Sequence, residues 1–498
     1  MNDNIVFLES IEKKFSGVYA LKSVTFSVKQ GEVRCLVGEN GCGKSTLIKI
    51  ISGFHKPDSG KIYLNGYEYI DLMPIEAIKN GIQVIYQDFS LFPNLTVAEN
   101  ISYSYMVSKQ NRFFNINESK EIAKNGLQKI NVDINLSAVL GNLSVADKQL
   151  VAIARSLVSE NTKLLILDEP TTALTHNEIE RLLEVIKILK SNGVSIIFVS
   201  HKLRELTTVS DTITILRNGE VVANGLISEF DENKIAYYMT GREIKGEKYF
   251  VENDNSKTIL EIKSMSYKDK YSDISFSVKE GEILGITGLL GSGRSEIGQS
   301  LYGMLPYDRG TIIFNGKEVK IRSILDARKY AISYVPEDRL TEGLFLKQSI
   351  LNNIIVSIYK QLSNIFGVIN FKKANKLSLD TTKDLKLNTT DLNMHVQNLS
   401  GGNQQKVVIA KWLVSNTKLI ILNGPTVGVD VGAKFEIHLK LKEIAKNGIG
   451  VIVISDDISE LIENCNRILI ISKGKLVKEV ESKNETVDSL LNLILKDY

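Results

Sequence analysis

Early in the chain apolar residues fall at every second position. In Val24-Thr25-Phe26-Ser27-Val28 this places Val24, Phe26 and Val28 on one face and predicts a strand half open to water. Elsewhere the runs are mostly or wholly apolar and do not alternate. Val33-Arg34-Cys35-Leu36-Val37, Leu164-Leu165-Ile166-Leu167 and Ser195-Ile196-Ile197-Phe198-Val199 read as strands covered on both faces, the pattern of a parallel sheet. Leu47-Ile48-Lys49-Ile50-Ile51 continues as a helix. Both kinds of pattern then recur at an offset of about 250 residues. Val24 to Glu32 returns as Ile274-Ser275-Phe276-Ser277-Val278-Lys279-Glu280-Gly281-Glu282, and Gly60-Lys61-Ile62-Tyr63-Leu64-Asn65-Gly66 as Gly310-Thr311-Ile312-Ile313-Phe314-Asn315-Gly316. A period that long is a whole fold, so a tandem pair of α/β domains is expected, residues 1–245 and 256–498, joined by a polar linker over 246–255 that lacks apolar periodicity.

Composition adds limits. At 498 residues one core is too small, and 43% hydrophobic with 24% charged residues is the balance of a soluble globular chain. The longest apolar stretches, such as Gly448 to Ile454, fall far short of a membrane span, and Met1-Asn2-Asp3-Asn4 starts no secretory signal, so the cytosol is the default expectation. A net charge of +3 without a long basic run gives no case for nucleic acid. Cys35, Cys42 and Cys465 are too few and too dispersed for a disulfide framework or an iron–sulfur cluster.

The candidate chemistry begins after the strand at Val33–Val37. Gly38-Glu39-Asn40-Gly41-Cys42-Gly43-Lys44-Ser45-Thr46 matches the phosphate-binding pattern G-x-x-x-x-G-K-[ST] in full, between a strand and a helix as that pattern requires. Its glycines let backbone N–H groups curl around phosphates, Lys44 reaches β/γ oxygens, and the Ser45 hydroxyl can ligate Mg²⁺. An ordinary glycine turn is the bland alternative. The apolar run Leu164–Leu167 ends in Asp168-Glu169-Pro170. Beside a phosphate loop, Asp168 is placed to hold Mg²⁺, directly or through water, and Glu169 to polarise the attacking water as general base; an acid pair opening a helix beside a proline turn is the plain alternative, and the phosphate loop weighs against it. Gln87, after the run Val84-Ile85-Tyr86, has an amide able to touch both metal and water. His201, at the end of the run from Ser195 to Ser200, can hydrogen-bond a γ-phosphate, and Phe15 has a ring able to stack on adenine; a surface histidine and a core phenylalanine are the plain alternatives.

Together with Leu399-Ser400-Gly401-Gly402-Asn403-Gln404-Gln405 in the second half, these motifs occur in the order that resembles ABC ATPases over essentially the whole chain. The tandem layout with Val335-Pro336-Glu337-Asp338-Arg339 resembles, more narrowly, the ATP-binding subunits of ribose- and galactose-type monosaccharide importers. That resemblance implies two ABC ATPase domains, each with a mostly parallel sheet core, an antiparallel β subdomain and a helical subdomain. It implies ATP and Mg²⁺ as ligands and a partner permease, expected as a dimer, fed by an extracytoplasmic solute-binding protein. Residence is then peripheral, on the cytoplasmic face of the cell membrane. It also implies head-to-tail closure of the domains, in which Ser400, Gly401, Gly402 and Asp430 complete the site on the first phosphate loop.

Consensus parts are divided unequally between the halves. In the second, Gly288 to Ser295 keeps the loop but has Arg294 at the lysine position, and arginine is planar and larger than a lysine point charge. Asn423-Gly424 replaces Asp168-Glu169, Asp456 takes the place of His201, and Glu337 that of Gln87. In the first half the signature reads Leu143-Ser144-Val145-Ala146-Asp147, without glycines, and Thr175 stands where the second half has Asp430. One competent composite site is therefore expected. The same layout would serve an importer of nucleosides or another small polar solute. A soluble tandem ABC protein acting on ribosomes or nucleic acid is the alternative of a different class, but it would be expected to carry two competent sites, a basic insert or cysteine clusters.

Overall fold

The computed structural model describes residues 3–108, 115–159, 161–171, 174, 176–200, 203–241, 256–289, 291–387 and 389–496. The expected linker at 246–255, together with His201 and Thr175, lies outside them. The chain divides into two compact units, Met1–Ile244 and Lys245–Tyr498.

In the first unit the strands are β1 (Asn4–Phe15), β2 (Val18–Lys29), β3 (Val33–Val37), β4 (Ser59–Leu64), β5 (Tyr67–Tyr69), β6 (Ile82–Ile85), β7 (Leu164–Asp168), β8 (Ser195–Val199), β9 (Thr212–Arg217) and β10 (Glu220–Leu226). They form two sheets. The antiparallel one runs β2-β1-β4-β5 and the other β10-β9-β3-β8-β7-β6, in which only the β9–β10 pair is antiparallel. Strands β3 and β8 are buried throughout, Arg34 of β3 included, as a sheet covered on both faces demands. Between the sheets the helix Lys44–Ile51 contributes Leu47, Ile48, Ile50 and Ile51 to a core shared with Val24, Phe26 and Val28 of β2. The helices Val97–Ser108, Ile116–Gln128 and Val145–Ser156 are inserted between β6 and β7.

The second unit repeats this plan with β11 (Thr258–Tyr267), β12 (Tyr271–Lys279), β13 (Ile283–Thr287), β14 (Arg309–Phe314), β15 (Lys317–Val319), β16 (Ile332–Val335), β17 (Leu419–Asn423), β18 (Gly450–Ile454), β19 (Arg467–Ser472) and β20 (Lys475–Glu481). Its sheets run β12-β11-β14-β15 and β16-β17-β18-β13-β19-β20, the order of the first unit strand for strand. Repetition extends to an ion pair on a buried glutamate but not to its sequence position. In the first unit Glu32 pairs with Arg34 of β3 at 2.9 Å; in the second, Glu282 pairs with Arg467 of the neighbouring β19 at 2.6 Å. A buried carboxylate at that place needs a guanidinium, and either strand can supply it. Among the described residues no helix is long and apolar enough to cross a membrane.

Candidate nucleotide site and signature helix

The phosphate loop of the first unit leaves the buried end of β3 and enters the helix Lys44–Ile51 through Gly43, whose φ of 113° lies in the left-handed region. A Cβ there would also meet the Ala20 carbonyl oxygen at 2.5 Å, so glycine is required twice over. No side chain caps this helix, and an uncapped helix N-terminus following a glycine-rich loop is how an anion site is built. Lys44 is buried and its Nζ donates to the carbonyls of Gly38 at 2.7 Å and Glu39 at 3.0 Å. Both carbonyl acceptors are neutral, and this donor set fits a nucleotide's β/γ oxygens. Cys42 is buried within the loop and burial pushes its thiol up, while Asn40, Gly41 and Ser45 are exposed and Thr46 is half-buried.

Asp168 ends β7 and Glu169 follows it, both half-buried. Burial raises the Asp168 carboxyl, and the adjacent Glu169 raises it further, against the pull of Lys44 and Lys49. Two carboxylates held together this way favour a divalent cation beside them. Glu169 has a backbone φ of 50°, left-handed for a residue with a side chain, and its N–H bonds the Val199 carbonyl at 2.9 Å. Such strain, of order 1–3 kcal/mol, persists where the surroundings over-determine it. Gln87 lies exposed in the turn after β6. Arg155, from the helix Val145–Ser156, holds the same turn two and three residues further on, donating to the carbonyls of Phe89 at 3.0 Å and Ser90 at 2.7 Å. Phe15 closes β1, is 43% exposed, and meets the ring of His55 edge-on at 5.3 Å, so it is not the core phenylalanine of the plain alternative.

In the second unit the same places are filled inward. Arg294 Nη1 donates to the Gly288 carbonyl at 2.6 Å, as Lys44 does to Gly38, and its Nη2 lies 3.9 Å from the largely exposed Asp456. The Ser295 hydroxyl donates directly to Asn423 Oδ1 at 3.4 Å, and Asn423 Nδ2 donates to the Tyr334 hydroxyl at 3.3 Å. The hydroxyl equivalent to Ser45 and the residue at the position of Asp168 are thus joined to each other. Gly424 repeats the left-handed backbone of Glu169, with φ 57° and an N–H bonded to the Ile454 carbonyl at 2.8 Å.

The two signature helices differ just as sharply. Ser144 caps the helix Val145–Ser156 by accepting from Asp147 N–H at 3.1 Å, and its hydroxyl donates back to the Asp147 carboxylate at 3.0 Å. Ser400 stands at the same position on the helix Gly401–Leu413 but makes no capping bond; its hydroxyl accepts from Asn403 Nδ2 at 3.0 Å. Ser400 is exposed, and the first N–H groups of that helix stay open to an anion. Gly402 serves packing as well, since a Cβ there would strike Ala433 at 2.4 Å. Asp430 caps the next helix, Val431–Lys446, by accepting from Ala433 N–H at 2.8 Å.

Two buried acids escaped sequence reasoning. Glu205 accepts from Thr171 at 2.6 Å and Ser200 at 3.3 Å, tying the segment after the Asp-Glu strand to the end of β8. Glu460 does the same with Thr426 and Ser455, both at 2.8 Å. Their recurrence at the same place in each repeat was the available signal.

A phosphate-binding loop between strand and helix, with an acidic strand end beside it and the whole plan present twice, defines a P-loop nucleoside triphosphatase doubled along one chain. The ABC transporter family model matches residues 21–172 and 271–427, and the chain belongs to that family. It is 38% identical over 490 residues to the ribose import ATP-binding protein RbsA of Caldanaerobacter subterraneus, covering 98% of both chains. It is 39% identical over 487 residues to the RbsA protein of Bacillus licheniformis, again covering 98% of both. Identity is 39% over 501 residues with the xylose import ATP-binding protein XylG of Geobacillus kaustophilus, covering 99% of both.

Proposed function

We propose that this chain is the ATP-hydrolysing subunit of an ABC importer, and that it powers uptake of a monosaccharide through a membrane permease supplied by an extracytoplasmic binding protein. Relatives named for ribose and xylose import, matched along nearly their whole length, support the solute class. On this reading the chain sits on the cytoplasmic face of the membrane through a permease dimer, with residues 1–245 and 256–498 as its two ATPase domains.

The observation that carries the mechanism is the division of labour between the units: an open phosphate loop with paired carboxylates in the first, an uncapped signature helix in the second. ATP held by residues 38–46 would stack its adenine on Phe15, and Ser45, Asp168 and Gln87 would hold Mg²⁺, which when bound would screen the charge of the β/γ oxygens. Glu169 receives the proton of the attacking water, and His201 steadies the γ-phosphate. Ser400, Gly401, Gly402 and Asp430 close on the same phosphates from the second unit, where open helix N–H groups stabilise the charge. The other composite site, with Arg294, Asn423, Gly424 and Asp456, does not hydrolyse.

Uptake into vesicles holding the chain, its permease and binding protein, with a panel of pentoses, hexoses and nucleosides, tests the reading. ATP-dependent accumulation of one sugar is expected. Accumulation of nucleosides alone would overturn the solute class, and ATPase activity indifferent to the permease would overturn the importer role.

A further inference from the structure

The second unit carries a cation that this mechanism leaves unused. Arg339 lies just beyond β16, at the end of Val335-Pro336-Glu337-Asp338-Arg339, and its guanidinium bridges two other segments. Nη1 donates to the Val427 carbonyl at 2.7 Å and Nη2 to the Gly428 carbonyl at 3.2 Å, both on the loop that leads to Asp430. Nε donates to Oε1 of Gln404, on the signature helix, at 3.5 Å. A Cβ on Gly401 would come within 2.8 Å of Nη2, so the guanidinium is seated against the first signature glycine. All three acceptors are neutral. The nearest acid, Asp338, is turned onto its own loop, where it accepts from the N–H groups of Leu340 and Thr341 and from the Thr341 hydroxyl.

The first unit supplies an internal control. Phe89 stands where the second unit has Arg339, and no guanidinium reaches the start of the helix Val145–Ser156 from that segment; Arg155 holds Phe89 and Ser90 instead. The chain keeps the arginine in the unit whose signature retains its glycines and whose serine is not spent as a helix cap.

We propose that Arg339 is a positioning residue for ATP hydrolysis, its planar fork fixing the loop at Val427 and Gly428 to the start of the signature helix so that Ser400, Gly401, Gly402 and Asp430 move as one donor set. The inference rests on the reading that this signature completes the site on the first unit's phosphate loop. A guanidinium can serve three acceptors in fixed directions, whereas a lysine ammonium on the same stem cannot span them. A donor set loosened by an ångström costs about a hundredfold in rate without weakening ground-state binding.

Steady-state ATPase of the permease complex provides the test. Arg339→Ala and Arg339→Lys should both lower kcat by about ten- to a hundredfold while KM for ATP stays within about twofold, because the P-loop contacts are untouched. Arg339→Lys keeps stem and charge, so it carries the test if the alanine variant does not fold. Turnover of either variant within about twofold of wild type, or a loss seen in KM alone, overturns the proposal. Gly401→Asp, assayed in parallel, separates the two levels. If it abolishes turnover while the Arg339 variants do not, the positioning role alone fails; if it leaves turnover intact, the composite-site reading fails and this inference with it.

Discussion

The serines that open the two signature helices occupy one topological position and do opposite things. Ser144 is consumed by its own helix: it accepts from Asp147 N–H and donates to the Asp147 side chain, so that end is satisfied without a ligand. Ser400 leaves its helix uncapped. The phosphate loops show the reverse distribution. Lys44 stands beside a carboxylate pair, whereas in the second unit Ser295, Asn423 and Tyr334 are bonded to one another. Each unit has closed, with its own side chains, the half of the machinery that the other leaves open. On the one-site reading proposed above, loss of function would take the form of internal satisfaction of polar groups that a nucleotide would otherwise satisfy, not decay into a random surface.

The sharpest way to break this comparison is to remove the acid that only the first unit possesses. Glu169→Gln should lower turnover by about 10²–10⁴-fold, the contribution of a positioned general base, while ATP still binds. Single-turnover hydrolysis in the permease complex, alongside equilibrium ATP binding, measures both. Turnover within a few-fold of wild type would move the base elsewhere.

A second comparison uses equivalent signature positions. Gly401→Asp sets a carboxylate into the space between Arg339 and the Gly428 carbonyl, at the open helix end, and should abolish turnover by repelling phosphate. Val145→Asp places the same group at the start of the already capped helix, where an acid suits the helix dipole, and should leave turnover within about twofold. Equal losses in the two variants would show that both signatures face working sites.

Much of this was legible in the sequence. Mostly or wholly apolar runs without alternation marked β3, β7 and β8, and the repeat of about 250 residues announced a second copy of the fold. The phosphate loop, Asp168 and Glu169 were legible as candidates because the chemistry proposed for them needs particular residues at fixed spacing. What escaped were residues whose role depends on where their partner sits. Arg155 bonds carbonyls 65 and 66 positions away, and Arg339, although it ends a motif visible in the sequence, bonds carbonyls 88 and 89 positions away; nothing local marks the partners of either one. Gln87, placed by sequence at metal and water, has its chain exposed in a turn that Arg155 holds from the helical insert.

Glu460 offers a smaller effect with a defined sign. Burial alone would raise its carboxyl, but His438, Lys434 and the Ser455 hydroxyl outweigh that and hold it at about 2, below its ordinary 4.5. A depressed carboxyl stabilises the fold fully above its unfolded value, and that contribution is lost as pH falls toward the folded one. Glu460→Gln should therefore destabilise the second unit by roughly 2 kcal/mol at neutral pH, and the gap should close between pH 4.5 and about 2. Trp412, the single tryptophan of the chain, lies in that unit and reports its unfolding by fluorescence. A gap independent of pH would mean that packing, not charge, sets the role of Glu460.

The smallest effect follows from the backbone shared by Glu169 and Gly424. Both are left-handed, at φ 50° and 57°, and both donate their N–H to the last residue of the next strand, Val199 or Ile454. Only the first bears a side chain there, so the first unit pays a conformational cost that the second has shed. Ala at position 169 keeps the Cβ and the strain while losing the acid; Gly loses both. Glu169→Gly should thus melt above Glu169→Ala by about 2–4 °C, a difference near 1 kcal/mol, once the greater freedom of glycine in the unfolded chain has been subtracted from the relieved strain. Neither variant should turn over ATP, so the comparison reads backbone strain apart from chemistry. Calorimetry of the two nucleotide-free variants decides it. If the alanine variant melts at or above the glycine variant, the left-handed turn costs nothing in the first unit, and glycine at position 424 has no conformational advantage to explain it.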